Sequence, residues 1–134
     1  MIIGIPKEIK SNENRVSMLP FGVEELVKSG HKVVIQSSAG IGSGISDDMY
    51  INFGAEILSD AKQVYQKSDL IVKVKEPQKT EYSLIRKNQM IFTFFHFAAE
   101  ESLLHAMIDS GCTAIAYETV QDKNNKLPLI IPMS

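Results

Sequence analysis

Four side chains that suit substrate binding or proton transfer stand just past predicted strands: Arg15, Lys75, His96 and Glu118. An arginine guanidinium can hold a carboxylate with two parallel hydrogen bonds. A lysine ammonium can neutralise or polarise a substrate oxygen. A histidine, whose ordinary pKa is about 6.5, is a natural general acid or base near neutral pH. These residue types predict a site that holds a small anion and moves a proton.

Each cation of this group also has a simpler interpretation. Arg15 would be an ordinary solvated side chain of a loop. Lys75 follows Lys73 by two residues, so both would lie on one face of a strand, as on a solvated edge, or Lys75 would already belong to the next loop. His96 lies among phenylalanines, where a packed core histidine is about as expected as a functional one.

The elements that must position these residues follow from an alternation of apolar runs and helical patterns. The runs predict strands at Ile2–Ile5, Lys32–Gln36, Leu70–Val74, Met90–Phe95, Thr113–Tyr117 and Leu129–Ile131. The helical patterns predict helices at Pro20–Ser29, Ser46–Phe53, Asp60–Gln66, Glu81–Lys87 and Ala99–Asp109. Because the runs are continuous in apolar residues, the strands should be buried on both faces.

This alternation predicts βαβ units with right-handed crossovers. The expected fold is α/β: an open, mostly parallel sheet in three layers, of the Rossmann or flavodoxin type. In such sheets, ligands bind outside the carboxyl ends of the strands. The four residues named above should therefore meet at one edge of the sheet.

A glycine segment at positions 40–44 follows a predicted strand and precedes a helix. Its pattern is G-x-G-x-G, whereas the dinucleotide fingerprint is G-x-G-x-x-G. We therefore expect a loop whose glycines permit positive φ and close backbone approach, with no phosphate bound there.

Composition bounds the remaining function classes. The chain has 134 residues, enough for one domain, with 14 basic and 16 acidic side chains. Without a basic excess, nucleic acid and anionic membranes are not expected partners. A single cysteine, Cys112, cannot form an internal disulfide and should be a small buried filler, which favours a reducing compartment. With no apolar run of membrane length, no signal peptide and no metal-ligand spacing, we expect a cytoplasmic protein without a metal.

The chain resembles, along its whole length, the N-terminal part of the alanine dehydrogenase family, which includes the transhydrogenase alpha subunit. The segments that carry the resemblance are Gly4-Ile-Pro-Lys-Glu-Ile-Lys, Asn12-Glu-Asn-Arg15-Val, Gly30-His-Lys-Val, Ala39-Gly-Ile-Gly-Ser-Gly, Val72-Lys-Val-Lys75-Glu-Pro, Phe95-His96, Ala116-Tyr-Glu118-Thr and Pro132-Met-Ser134. The chain departs from the usual pattern at Phe97, where the family often has an aliphatic residue, and at Leu19-Pro20.

The resemblance implies oxidation of L-alanine to pyruvate and ammonium with NAD as hydride acceptor. It assigns substrate binding to Arg15 and Lys75, acid–base catalysis to His96 and a contact with the nicotinamide cofactor to Ser134. Glu118 is a candidate for a residue that contacts the site residues without touching the substrate. A further catalytic aspartate and the nucleotide fingerprint lie later in the family, so residues 1–134 are expected to be a substrate domain whose main NAD site is elsewhere. The resemblance also implies a homo-oligomer, the usual state of the family enzyme.

Three hypotheses remain at this point. The first is the substrate domain of an alanine dehydrogenase, expected to be inactive alone because the cofactor domain is missing. The apolar ending is the sign that the sequence is truncated. The second is the corresponding domain of a transhydrogenase alpha subunit. The third is a non-catalytic module that binds a carboxylate or a partner.

Overall fold

The computed structural model describes residues 1–96 and 100–119. The strands are β1 (Ile2–Ile5), β2 (Lys32–Gln36), β3 (Glu56–Leu58), β4 (Leu70–Lys75), β5 (Met90–Phe94) and β6 (Thr113–Ala116). The α-helices are α1 (Pro20–Lys28), α2 (Asp47–Asn52), α3 (Ala61–Lys67) and α4 (Glu101–Ser110). Short 3-10 helices lie at Ile41–Ser43, Lys79–Leu84 and Tyr117–Thr119. Within these residues, no helix is long and apolar enough to cross a membrane.

The strands form one sheet in the order β3-β2-β1-β4-β5-β6, and every neighbouring pair is parallel. The predicted open parallel α/β sheet is confirmed. Strands β2 and β3 follow on one side of β1, whereas β4, β5 and β6 follow on its other side. The β1–β4 boundary is therefore the topological switch point, where the crevice of such sheets opens.

Two apolar cores cover the two faces of the sheet and create the three layers. One core joins the strands to α1 and α2, through Ile3, Ile5, Val33, Ile35, Val72, Val23 and Tyr50. The other joins them to α3 and α4, through Val34, Ile71, Ile91, Phe95, Val64, Leu103 and Met107. Alternate residues of β1, β2 and β4 thus enter opposite cores, as expected for strands buried on both sides.

The strand predictions are correct for β1 and β2 and within one residue for β4, β5 and β6. The prediction at Leu129–Ile131 lies outside the described residues. Strand β3 was not predicted, because it has only three residues, all partly exposed, at the edge of the sheet. Such a strand carries no long apolar run for a sequence pattern to reveal.

The helix prediction at Glu81–Lys87 is wrong. The chain instead forms a 3-10 helix at Lys79–Leu84 and continues extended at Ile85. The Glu81 side chain accepts a hydrogen bond from the Gln78 backbone N–H at the start of this turn. Its other carboxylate oxygen is buried beside Tyr65 and Lys73. These tertiary contacts determine the conformation of the segment and override its helix propensity.

Candidate functional site

The structure places the four predicted residues at one edge of the sheet. Arg15 lies in the loop after β1, and Lys75 is the last residue of β4. His96 follows the end of β5, and Glu118 lies in the 3-10 helix after β6. Because these four strands are parallel and adjacent, their carboxyl ends meet at this edge, with Arg15 and Lys75 flanking the switch point.

Arg15 is held by its neighbour Glu13 and still faces solvent. Its Nε donates to Glu13 Oε2 at 2.9 Å, and its Nη2 donates to Oε1 at 2.8 Å. The Arg15 side chain remains 56% exposed, whereas that of Glu13 is 6% exposed. The guanidinium borders an open cleft of about 360 Å³ that also includes Ser17, Val74 and Tyr117. A fixed but accessible guanidinium of this kind suits the binding of an anion.

The glycine segment supports the Arg15 loop. A Cβ at Gly42 would lie 2.7 Å from the backbone oxygen of Asn14, so a larger residue would push this loop away. Ser43 Oγ donates to the same oxygen at 2.9 Å, and Gly44 has a φ of 77°. The predicted close backbone approach and positive φ are both present. Gly42 thus packs against the loop that carries Arg15, which explains why this position needs a residue without a side chain.

Lys75 and Lys73 occupy different environments. The Lys75 ammonium lies 5.9 Å from the centre of the Phe94 ring, and the residue is half-buried. The Lys73 side chain is only 1% exposed, and β4 lies inside the sheet. The alternative of a solvated edge face shared by both lysines is therefore wrong. A register shift between Val72 and Lys75 interrupts the regular pairing at this point.

A buried cluster beneath the site was not predicted. Lys73 Nζ lies 3.2 Å from Glu8 Oε1 and 3.4 Å from Glu81 Oε2. Tyr65 donates its hydroxyl to Glu81 at 2.8 Å. Burial raises the pKa of Glu8, although the neighbouring Lys73 ammonium opposes the shift. The available signal was a lysine inside a continuous apolar strand, because a buried ammonium requires an acidic partner.

His96 has a strained backbone that Glu118 fixes. Its φ is 56°, in the left-handed region, which costs a non-glycine residue about 1 kcal/mol or more. The Glu118 carboxylate accepts the His96 backbone N–H at 2.8 Å and that of Phe95 at 3.3 Å. His96 is exposed, so the core-histidine interpretation is wrong. Backbone strain of this kind is typical of functional sites.

Two further residues, Glu13 and Phe94, connect the candidate side chains by electrostatic or ring contacts. Hydrogen bonds from Arg15 are the main cause of the lowered pKa of Glu13, and the charge of the Lys75 ammonium lowers this pKa further by a smaller amount. The Phe94 ring is near both of the other groups, with its centre 5.9 Å from Lys75 Nζ and 5.4 Å from the centre of the His96 ring. Two cations and an imidazole therefore line one edge, an arrangement that can hold an anion beside a proton donor or acceptor.

Several predicted features lie elsewhere. Ser134 and Phe97 fall outside the described residues. Cys112 is half-buried, with its Sγ 3.8 Å from the backbone oxygen of Met107. Within the described ranges, no three His, Cys, Asp or Glu side chains come together as metal ligands.

The Glu13–Arg15 pair predicts a pH effect on stability. Hydrogen bonds from Arg15 lower the pKa of Glu13 below its ordinary 4.5. Its stabilising contribution is therefore present above the unfolded-state pKa and is lost as the pH falls through the folded-state pKa. Wild type should lose stability as the pH falls through the folded-state pKa of Glu13, and Glu13→Gln should lack this part of the loss. The difference in the free energy of unfolding should be at most about 1 kcal/mol, because Arg15 is largely solvated.

Urea unfolding at several pH values between about 3 and 6 measures this effect. Glu25→Gln, on the exposed part of α1, is the matched control and should leave the curve unchanged. If the free energy of unfolding falls equally with decreasing pH in wild type and Glu13→Gln, the pair contributes nothing to stability.

The fold and these side chains define a doubly wound α/β domain with a cation-lined edge at its switch point. The family of alanine dehydrogenase/PNT N-terminal domains matches residues 4–134, and the chain belongs to this family. The predicted resemblance is confirmed.

Curated relatives and solved structures agree with this assignment. The chain is 52% identical to the alanine dehydrogenase of Methanococcus maripaludis and 51% identical to that of Bacillus subtilis, over all 134 residues. An L-alanine dehydrogenase structure matches 99% of the chain with a TM-score of 0.96 and 47% identity. A transhydrogenase from Sinorhizobium meliloti matches 92% with a TM-score of 0.84 and 30% identity.

The chain covers only part of these proteins. It spans 36% of the Methanococcus enzyme, 35% of the Bacillus enzyme, 37% of the L-alanine dehydrogenase structure and 36% of the transhydrogenase structure. It therefore corresponds to about the first third of a longer family member.

Proposed function

We propose that residues 1–134 are the substrate domain of an NAD-dependent L-alanine dehydrogenase. The reaction converts L-alanine, NAD and water to pyruvate, ammonium, NADH and a proton. The observation that carries the proposal is the common edge of Arg15, Lys75 and His96 in a chain about half identical to alanine dehydrogenases.

Arg15 and Lys75 would bind and orient the substrate. The guanidinium of Arg15, already fixed by Glu13, would hold the carboxylate of alanine or pyruvate. The Lys75 ammonium would neutralise negative charge that develops on the oxygen at Cα. Contacts to both ends of so small a molecule would fix Cα in position for hydride transfer.

His96 would handle the protons. After hydride has left Cα, water adds to the resulting iminium carbon, and the imidazole takes the proton that the water releases. The imidazole returns this proton to the amino nitrogen of the adduct. It then takes the hydroxyl proton as the C–N bond breaks, the C=O bond of pyruvate forms and ammonia leaves. Glu118 would act as a positioning residue, since its carboxylate fixes the backbone of His96.

NAD, when bound, would accept the hydride. Ser134 is proposed to contact the nicotinamide, by resemblance to the family. The glycine segment lacks the spacing of the dinucleotide fingerprint, and its Gly42 packs against Asn14. We therefore place the main NAD site outside residues 1–134.

A transhydrogenase domain is the second candidate, favoured by the match to the Sinorhizobium structure. The higher identity to the L-alanine dehydrogenase, 47% against 30%, supports the first. The third hypothesis, a non-catalytic module, predicts that the edge binds no pyruvate or binds it without any part in turnover.

Homo-oligomerisation and a cytoplasmic location are also part of the proposal. Phe21 is 69% exposed, Ile108 is 66% exposed and Leu19 is 62% exposed. Apolar side chains exposed to this extent suit contacts with further protein. The single cysteine is consistent with a reducing compartment.

Activity tests the proposal most directly. We expect a chimera of residues 1–134 with the part of the Bacillus subtilis enzyme beyond its matched 35% to form NADH from L-alanine and NAD. The 134-residue chain alone should form none, because the main NAD site is proposed to lie outside it. His96→Ala in the chimera should reduce turnover at least about 100-fold, the usual size of a general acid–base contribution.

The intact Bacillus enzyme is the positive control, and circular dichroism checks that the chimera folds. His105→Ala, on the exposed part of α4, is the matched histidine control and should retain full turnover. A folded chimera that does not oxidise alanine would contradict the proposal. NADH formation by the 134-residue chain alone would contradict the domain assignment.

A further inference from the structure

Glu8 is buried at the switch point although it is acidic. It follows β1 by three residues, and its side chain is 2% exposed. Its two oxygens accept three hydrogen bonds, all from β4. Oε1 accepts Lys75 N–H at 3.0 Å and Lys73 Nζ at 3.2 Å, and Oε2 accepts Val74 N–H at 3.0 Å. The carboxylate therefore bridges the two strands that flank the crevice.

The bonds to Val74 and Lys75 coincide with a bulge. In the pairing of β4 with β5, Val72 is opposite Phe92, but Lys75 is opposite Phe94. Three steps along β4 thus match two along β5, so the regular ladder is interrupted between Val72 and Lys75. Glu8 accepts hydrogen bonds from two backbone N–H groups of this stretch. Bulges commonly redirect a side chain near a functional site.

The rest of the buried cluster holds Glu8 in place. Lys73 Nζ lies between Glu8 and Glu81, and the three side chains are each at most 3% exposed. Tyr117 donates its hydroxyl to the backbone oxygen of Lys73 at 2.7 Å, which fixes the same stretch of β4 from another side. A buried carboxylate with three donors has little freedom to move.

We propose that Glu8 is a positioning residue for Lys75. Its carboxylate sets the bulge at the end of β4 and so holds the Lys75 ammonium beside Phe94 at the substrate edge. This inference deepens the proposed function and rests on it for the role of Lys75 as a substrate-binding group. It adds no new step to the chemistry, because Glu8 acts through the backbone of its neighbour.

Amide hydrogen exchange in the 134-residue chain tests the positioning without any ligand. Glu8→Gln replaces one carboxylate oxygen with an NH₂ group, so at least one of the Val74 and Lys75 amides loses its acceptor. We expect exchange at one or both to accelerate at least about tenfold relative to other β4 amides. Unchanged protection at both would overturn the proposal.

Glu81→Gln is the matched control. It alters the other carboxylate on Lys73 but no hydrogen bond to the bulge, so Val74 and Lys75 should keep their relative protection. Should Glu8→Gln fail to fold, Glu8→Asp keeps the charge opposite Lys73 and shortens the reach to the bulge. The same local loss of protection is then expected, and its absence would overturn the proposal.

Pyruvate binding, measured by calorimetry, then connects Glu8 to function. Glu8→Gln should weaken binding about tenfold in the wild-type background and much less in a Lys75→Met background, since Glu8 acts through Lys75. Equal effects in both backgrounds would overturn the inference. Failure of the wild-type chain to bind pyruvate would instead contradict the proposed substrate site, and the exchange experiment would still decide whether Glu8 sets the bulge.

Discussion

Replacing Arg15 with alanine is expected to weaken pyruvate binding about 100-fold. The guanidinium would form two charge-assisted hydrogen bonds with the ligand carboxylate, each contributing at least about 1.5 kcal/mol. Their combined loss of about 3 kcal/mol corresponds to a factor of about 100 in Kd. Because Glu13 already orders the Arg15 side chain, little binding energy is lost in fixing it.

Isothermal calorimetry with pyruvate measures this change, and methyl pyruvate tests the need for a carboxylate. Arg15→Lys keeps the charge but loses the planar fork, so it should fall between wild type and Arg15→Ala. Lys28→Ala removes an equal charge from the exposed face of α1 and should bind like wild type. If Arg15→Ala also binds like wild type, the carboxylate role of Arg15 is wrong.

Most of the fold could be predicted from local patterns. The central strands are continuous apolar runs, which indicates burial on both faces and hence a parallel sheet. Ser46 caps α2 through the Met49 N–H, and Gly111 ends α4 with a φ of 71°; both residue types are common at these helix positions. The errors lie where long-range contacts decide the structure, at the short edge strand β3 and at the segment anchored by Glu81.

The site was predictable in position but not in its supporting contacts. Arg15, Lys75, His96 and Glu118 each follow a strand, so topology alone brings them to one edge. The bond from Glu8 to the Lys75 backbone joins residues 67 positions apart, and no local pattern signals it. The same is true of Gly42, whose purpose becomes visible only when Asn14 lies against it.

The buried lysine beneath the site should be essential for stability near neutral pH. We expect Lys73→Met to lower the free energy of unfolding by about 3–5 kcal/mol, the usual cost of removing one partner from a buried ion pair. Methionine fills most of the space of the lysine, so the effect measures lost charge more than lost volume. Two carboxylates, Glu8 and Glu81, would remain in the core without a cation.

This destabilisation should diminish in acid. Burial already raises the pKa of Glu8, and removal of the opposing Lys73 ammonium should raise it further. A carboxyl whose folded-state pKa exceeds its unfolded-state value contributes stability below the unfolded-state pKa and loses that contribution as the pH rises through the folded-state pKa. Lys73→Met should therefore recover part of its deficit relative to wild type when the pH is lowered from about 7.5 to about 5.

Urea unfolding of both proteins at the two pH values measures the effect. Lys67→Met is the matched control, because Lys67 forms an ion pair with Glu56 in which both side chains are about 40% exposed. Its cost should be at most about 1 kcal/mol near neutral pH, since exposed pairs contribute little. Adding Glu8→Gln to Lys73→Met should restore stability near neutral pH by removing one uncompensated charge. A pH-independent deficit in Lys73→Met would show that packing, and not charge, explains why the core retains this lysine.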